Sequence, residues 1–139
     1  MCVTDSNDGF YPGAWGPAEW LSLFYKAMNF PLHPAQEPER VKGYIQHFWS
    51  LTSTLPCAAC RQHLRDNYAA VGFPGKWFAS RQKLTELVHV IHNRVNAAQG
   101  KPPLRPLCDI TRELERNRAC PGNPKTSTRI TLFHSASHT

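Results

Sequence analysis

The sequence predicts an all-α protein, a bundle of four helices with a short fifth. Apolar residues recur at helical spacing in four segments. Prolines punctuate the intervals between those segments. No stretch keeps alternating polarity long enough for a half-buried strand. Composition agrees: 139 residues, 41% hydrophobic and 19% charged, make one globular domain rather than a disordered or collagen-like chain.

Residues 1–14 read as a flexible arm. Pro17 suits a first helical position, where its missing N–H costs nothing. A helix over about 17–29 then places Trp20, Leu23, Phe24, Ala27 and Met28 on one face, and Pro31 and Pro34 end it. The second helix, about 38–53, carries Val41, Tyr44, Ile45, Phe48 and Trp49. Pro56 breaks the chain before a third helix over about 57–70. The stretch VGFPGK is a loop on its glycine and proline content. The fourth helix, about 77–98, aligns Leu84, Leu87, Val88, Ile91 and Val95, with Gly100 and Pro102 as stop signals. The fifth spans about 108–116. Residues 121–139 hold seven Ser or Thr and little apolar content, and read as a flexible tail. The expected organisation is therefore an arm at 1–14, a domain at 15–120 and a tail at 121–139.

Charge narrows the function classes. There are 16 Lys+Arg against 10 Asp+Glu, a net of +6. From Arg94 onward, 8 basic residues face 3 acidic ones. That balance fits an acidic partner but is too diffuse to define a nucleic-acid interface. No apolar run approaches the ~20 residues of a membrane span. The opening segment has neither a secretory apolar region nor an Arg-rich transit pattern.

Five cysteines stand out in a chain without an export signal: Cys2, Cys57, Cys60, Cys108 and Cys120. Cys57-Ala-Ala-Cys60 lies at a predicted helix start, directly after Pro56. Free N–H groups and the helix dipole stabilise a thiolate there. Arg61 and His63 add positive character. Such a pair suits dithiol–disulfide exchange. It is equally half of a zinc site, because Cys57, Cys60, His89 and His92 form a C-x2-C and H-x2-H set. That alternative implies a zinc-stabilised helical binding module with a basic partner-binding face. A thioredoxin-like domain would need βαβ units, which are not predicted.

The fourth helix ends in His92-Asn93-Arg94-Val95-Asn96. His92 and Asn96 are four residues apart and share a face, as does His89. Polar groups beside an apolar stripe suit a flat heteroaromatic ligand with polar edges; a solvated helix end would show the same residues.

Taken together, these segments resemble the Erv/ALR family of FAD-dependent sulfhydryl oxidases. Trp15-Gly16-Pro17, followed by Trp20, is similar to the family's first-helix segment, and Ala27-Met28-Asn29-Phe30-Pro31 to the end of that helix. Leu55-Pro56-Cys57-Ala58-Ala59-Cys60 resembles its redox motif. His92-Asn93-Arg94-Val95-Asn96, then Gly100-Lys101-Pro102, resembles its flavin-binding HNxVN and GKP segment. The resemblance spans about residues 15–110, and the run from Ser53 to His63 looks most like small members encoded by large DNA viruses. Phe24 stands where the family usually has His, and Leu87 where it often has Trp. The family's distal CxxC shuttle arm is absent, with Cys2 the cysteine left to stand in for it.

The resemblance implies a helical bundle that holds FAD, commonly as a homodimer, and needs no metal. Cys57 is then the interchange thiol and Cys60 the flavin-proximal one. Trp15, Gly16, Trp20, His92, Asn93, Asn96 and Lys101 are the implied cofactor contacts. Cys108–Cys120 is an implied structural disulfide. The implied activity forms disulfides in thiol-containing proteins, or in a thioredoxin-like or small dithiol carrier, and passes electrons to dioxygen to give hydrogen peroxide. The implied location is the cytoplasm or the virion of a cytoplasmic virus, with the mitochondrial intermembrane space as the alternative.

Overall fold

The computed structural model describes residues 3–119. Within them the order is α1 (Pro12–Met28), α2 (Pro38–Thr54), α3 (Ala58–Val71), α4 (Arg81–Ala98) and α5 (Leu107–Glu115). Two 3-10 turns, Pro34–Gln36 and Gly75–Phe78, fill the α1–α2 and α3–α4 connections. The described residues contain no strand, as the sequence predicts.

Two helix starts differ from expectation. The first helix begins at Pro12, not near residue 17, and runs through Pro17. Pro12 takes the opening turn, where a proline is tolerated, and Pro17 costs one backbone bond to the Gly13 carbonyl. The last residues of the expected arm are therefore helical. The fourth helix begins at Arg81, because the Ser80 hydroxyl accepts from the Lys83 N–H at 3.1 Å and caps it. Trp77 and Phe78, expected on that helix, sit instead in the preceding 3-10 turn, and both are buried.

α1 packs chiefly on α4, α2 on α3, and α3 on α4. The buried face of each helix follows its apolar period: Leu23, Phe24, Ala27 and Met28 on α1, and Leu84, Leu87, Val88 and Ile91 on α4. Phe30, Phe48 and Phe78 meet in tilted and edge-on contacts at the centre. The Tyr68 hydroxyl donates to the Phe48 carbonyl at 2.9 Å, satisfying a buried phenol whose pKa burial pushes up. α5 closes the bundle with buried Ile110 and Leu114. Beyond α5, the Asn117 amide donates to the Tyr25 hydroxyl at 2.8 Å and Arg118 to the Met28 carbonyl at 3.3 Å, fastening the chain to α1.

Candidate active site

α3 begins at the cysteine pair. Cys57 is its N-cap, in extended backbone, and its Sγ accepts from the Cys60 N–H at 3.3 Å. One helical turn brings the two Cα atoms to 5.2 Å, and Cys57 and Cys60 are joined by a disulfide. The turn before them is tied down: the Cys57 N–H donates to the Leu55 carbonyl at 2.8 Å, and Arg61 Nη1 donates to the same carbonyl at 2.6 Å. The Arg61 guanidinium is thereby held close to the turn that carries the disulfide.

Beside this disulfide lies a cavity of about 500 Å³, between α1 and α4 and bounded by α3. Cys60 lines it and Cys57 does not. The two cysteines are therefore inequivalent, one lining the cavity and one outside its wall. Leu23, Leu51, Leu64, Val88 and Ile91 make the apolar part of the wall. Trp15, Gly16 and Trp20 from α1 face His92, Asn96 and Lys101 from α4 and the loop after it.

The polar wall is held by ring stacking and hydrogen bonds. The Trp20 and His92 rings stack with centroids 4.1 Å apart and planes 6° apart. Burial, with help from His89 and Lys101, pushes the His92 pKa down to about 3, so the imidazole is neutral at physiological pH. The Asn96 amide donates to the Pro102 carbonyl at 3.2 Å, and the Lys101 N–H donates to the Asn96 carbonyl at 2.8 Å. Residue 96 thus folds the Gly100–Pro102 segment back over the cavity. Gly16 is buried, yet a Cβ added there would meet no atom within 4 Å. The cavity is the space it would enter, so the missing side chain leaves room for a ligand.

These residues fit a flavin. The volume lies within the usual range for cofactor sites, about 300–1,000 Å³. An apolar floor, a flat aromatic wall and a polar rim match a planar heteroaromatic with hydrogen-bonding edges.

The sequence matches the model of the Erv1 / Alr family over residues 17–116. The chain belongs to the Erv1/Alr family. Among curated proteins it is similar to one from Acanthamoeba polyphaga mimivirus named a probable FAD-linked sulfhydryl oxidase, R368. Identity is 30% over 93 residues, covering 67% of this chain and 64% of that protein. It is also 31% identical over 87 residues to the mitochondrial FAD-linked sulfhydryl oxidase erv1 of Schizosaccharomyces pombe, covering 63% of this chain and 46% of that protein. The chain thus spans less than two thirds of the length of either relative.

Within this Erv1/Alr chain, Trp15, Gly16, Trp20, His92, Asn96 and Lys101 all line the cavity. Asn93 does not. It lies a hundred degrees around the helix from His92, and its Oδ1 accepts from the Leu104 N–H at 2.8 Å. It anchors the loop after α4 and does not line the cavity. Phe24 is fully buried in the core, outside the cavity wall, whereas Leu87 forms part of that wall. His63, Tyr68, Val95 and Gln99 also line the cavity. Of these, His63 and Gln99 were findable as the residues three positions after Cys60 and Asn96, Gln99 at the cap that ends α4.

The zinc alternative is not supported. Cys57 and Cys60 are bonded to each other, His89 Nε2 donates to the Arg105 carbonyl at 3.0 Å, and His92 faces Trp20. Among the described residues no three His, Cys, Asp or Glu side chains cluster for a metal. Cys108 is exposed on α5. Its expected partner Cys120, the tail at 121–139 and Cys2 lie outside the described residues.

Proposed function

We propose that this protein is an FAD-dependent thiol oxidase, which forms disulfides in substrate thiols and passes their electrons to dioxygen. The observation that carries this reading is the disulfide at the start of α3 with one of its two cysteines, Cys60, in the wall of a flavin-sized cavity. Family membership and the names of the two relatives support it.

Cys57 is the entry point. A substrate thiolate attacks Cys57 Sγ, forms a mixed disulfide and expels Cys60 as a thiolate. The α3 N-terminus stabilises that leaving group. A second substrate thiolate then attacks the substrate-side sulfur, which gives the substrate disulfide and releases Cys57. Cys60 faces the cavity, where the electron pair is to be passed on. FAD, when bound, supplies two-electron acceptance from the dithiol and reoxidation by dioxygen to hydrogen peroxide. Trp15, Trp20, His92 and Asn96 would hold it, with Gly16 giving clearance and Lys101 a cation at the mouth. The buried neutral His92 offers one ring nitrogen as donor and one as acceptor, but no charge.

Thiol-bearing proteins, or a small dithiol carrier, are the proposed substrates, and the proposed assembly is a homodimer. Among the described residues no helix is long and apolar enough to cross a membrane. The viral and mitochondrial relatives support the cytoplasm or a virion as location, with the intermembrane space as the alternative. The test is direct. The purified protein should be yellow, and should consume oxygen and release peroxide when given a dithiol. A colourless protein that leaves the dithiol reduced after incubation with FAD would overturn the reading.

A further inference from the structure

The described residues before α1 are all exposed, Phe10 included, and yet the backbone of Gly9 and Phe10 lies against the Pro56–Cys57 turn. The Phe10 N–H donates to the Pro56 carbonyl at 2.7 Å. Gly9 has φ +78°. A Cβ on it would lie 2.5 Å from the Pro56 oxygen and 3.5 Å from the Cys57 Cα. Both the left-handed backbone and the lack of space demand glycine. The Phe10 carbonyl, in turn, accepts from the Trp15 indole N–H at 3.1 Å. Trp15 lines the cavity. A continuous hydrogen-bonded path therefore joins the cavity wall to the residue just before Cys57.

Within α3 and its approach, Arg61 already ties down Leu55. The arm holds the very next residue, Pro56, from the N-terminal side of the sequence. We infer that Gly9 and Phe10 are positioning residues of the redox centre: they strap the Pro56–Cys57 turn to the cavity wall and orient the Cys57 sulfur for thiol attack. The role of Cys57 rests on the oxidase reading; the strap contact does not.

The reason is geometric. A thiolate attacks a disulfide in line with the S–S bond. The new bond forms at Cys57 Sγ, the Cys57–Cys60 bond breaks, and Cys60 leaves with the electron pair. A second thiolate from the same dithiol then displaces Cys57, and the dithiol gives up two protons to buffer. The direction in which Cys57 Sγ presents its back side follows its backbone. Freeing that backbone spreads the presented directions and lowers the fraction ready for attack.

The experiment uses the full chain as purified, kept anaerobic so that oxygen does not recycle the disulfide. Dithiothreitol is added, samples are quenched by alkylation, and the Cys57–Cys60 dithiol is counted by mass spectrometry. Gly9→Ala should slow reduction about threefold to tenfold, the size expected for lost orientation at one contact. Hydrogen exchange at the Phe10 amide should quicken in the same variant. Flavin occupancy and thermal midpoint should stay near wild type, which separates positioning from general stability. A chain lacking residues 1–10 should be slowed as much, even if Gly9→Ala lets the arm adapt. Tyr11→Ser, an exposed neighbour on the arm, should reduce at the wild-type rate. Equal or faster reduction in the chain lacking residues 1–10 overturns the inference. If the protein bound no flavin but that chain still exchanged slowly, the strap would stand and the oxidase reading would fall.

Discussion

The Trp20 indole covers the His92 imidazole face to face, at 4.1 Å between centroids. The pair bridges α1 and α4, the two helices with the most extensive packing, and forms one wall of the cavity. Its pH behaviour follows from burial. The folded pKa of His92 is about 3, below its usual value of 6.5. Between those values the unfolded chain binds a proton that the folded chain does not. Stability is then full above about pH 6.5 and falls as pH drops toward 3, with a slope of up to about 1.4 kcal/mol per pH unit from this group. His92→Gln should flatten that slope. Urea unfolding at about pH 5 and about pH 7.5 measures it, and equal slopes in both proteins would contradict the assignment.

Asn93 and Asn96 should separate cleanly. Asn96→Ala removes the amide that holds Pro102 over the cavity and should lower flavin affinity, at a cost of ~1–3 kcal/mol, or roughly tenfold to a hundredfold. Asn93→Ala leaves the Leu104 N–H without its acceptor. It should lower stability by about 1–2 kcal/mol and keep the flavin. The flavin-to-protein absorbance ratio after gel filtration, beside a melting curve, reads both; flavin loss in Asn93→Ala with no loss in Asn96→Ala would reverse the two roles.

Cys57→Ser and Cys60→Ser should each abolish dithiol oxidation while FAD stays bound. The two differ in what they trap. Cys60→Ser leaves the outer sulfur and should accumulate mixed disulfides with a thiol reagent, because Cys57 lies outside the cavity wall. Wild-type turnover in either variant would refute the redox assignment.

Replacing Cys108 and Cys120 with Ser should lower the melting temperature more than turnover. A bond between them closes a short loop, and its loss costs about 2–3 kcal/mol. The segment just before Cys120 is already fastened to α1 through Asn117 and Arg118, so the bundle itself should persist. Non-reducing peptide mapping that recovered both as free thiols would sink the pairing.

The helices, their apolar faces and the cysteine pair at a helix start were legible from the sequence. Each depends on local order: the 3.6-residue period, a proline before Cys57, and the four-position step from His92 to Asn96. The resemblance to the family's HNxVN segment also named Asn93 as a cofactor contact, although the period already sets it off the face shared by His92 and Asn96. Only packing decides that it faces the Leu104 backbone, because the period orders residues around a helix but does not say what stands opposite each one. The same limit applies to the sulfurs. Spacing brings Cys57 and Cys60 within bonding reach, while the placement of α1 and α4 against α3 decides that Cys60 faces the cavity and Cys57 does not. The contact of Gly9 and Phe10 with Pro56 was the least legible feature. It joins residues far apart in the chain through a backbone hydrogen bond and a left-handed glycine, and neither leaves a periodic trace in side-chain polarity.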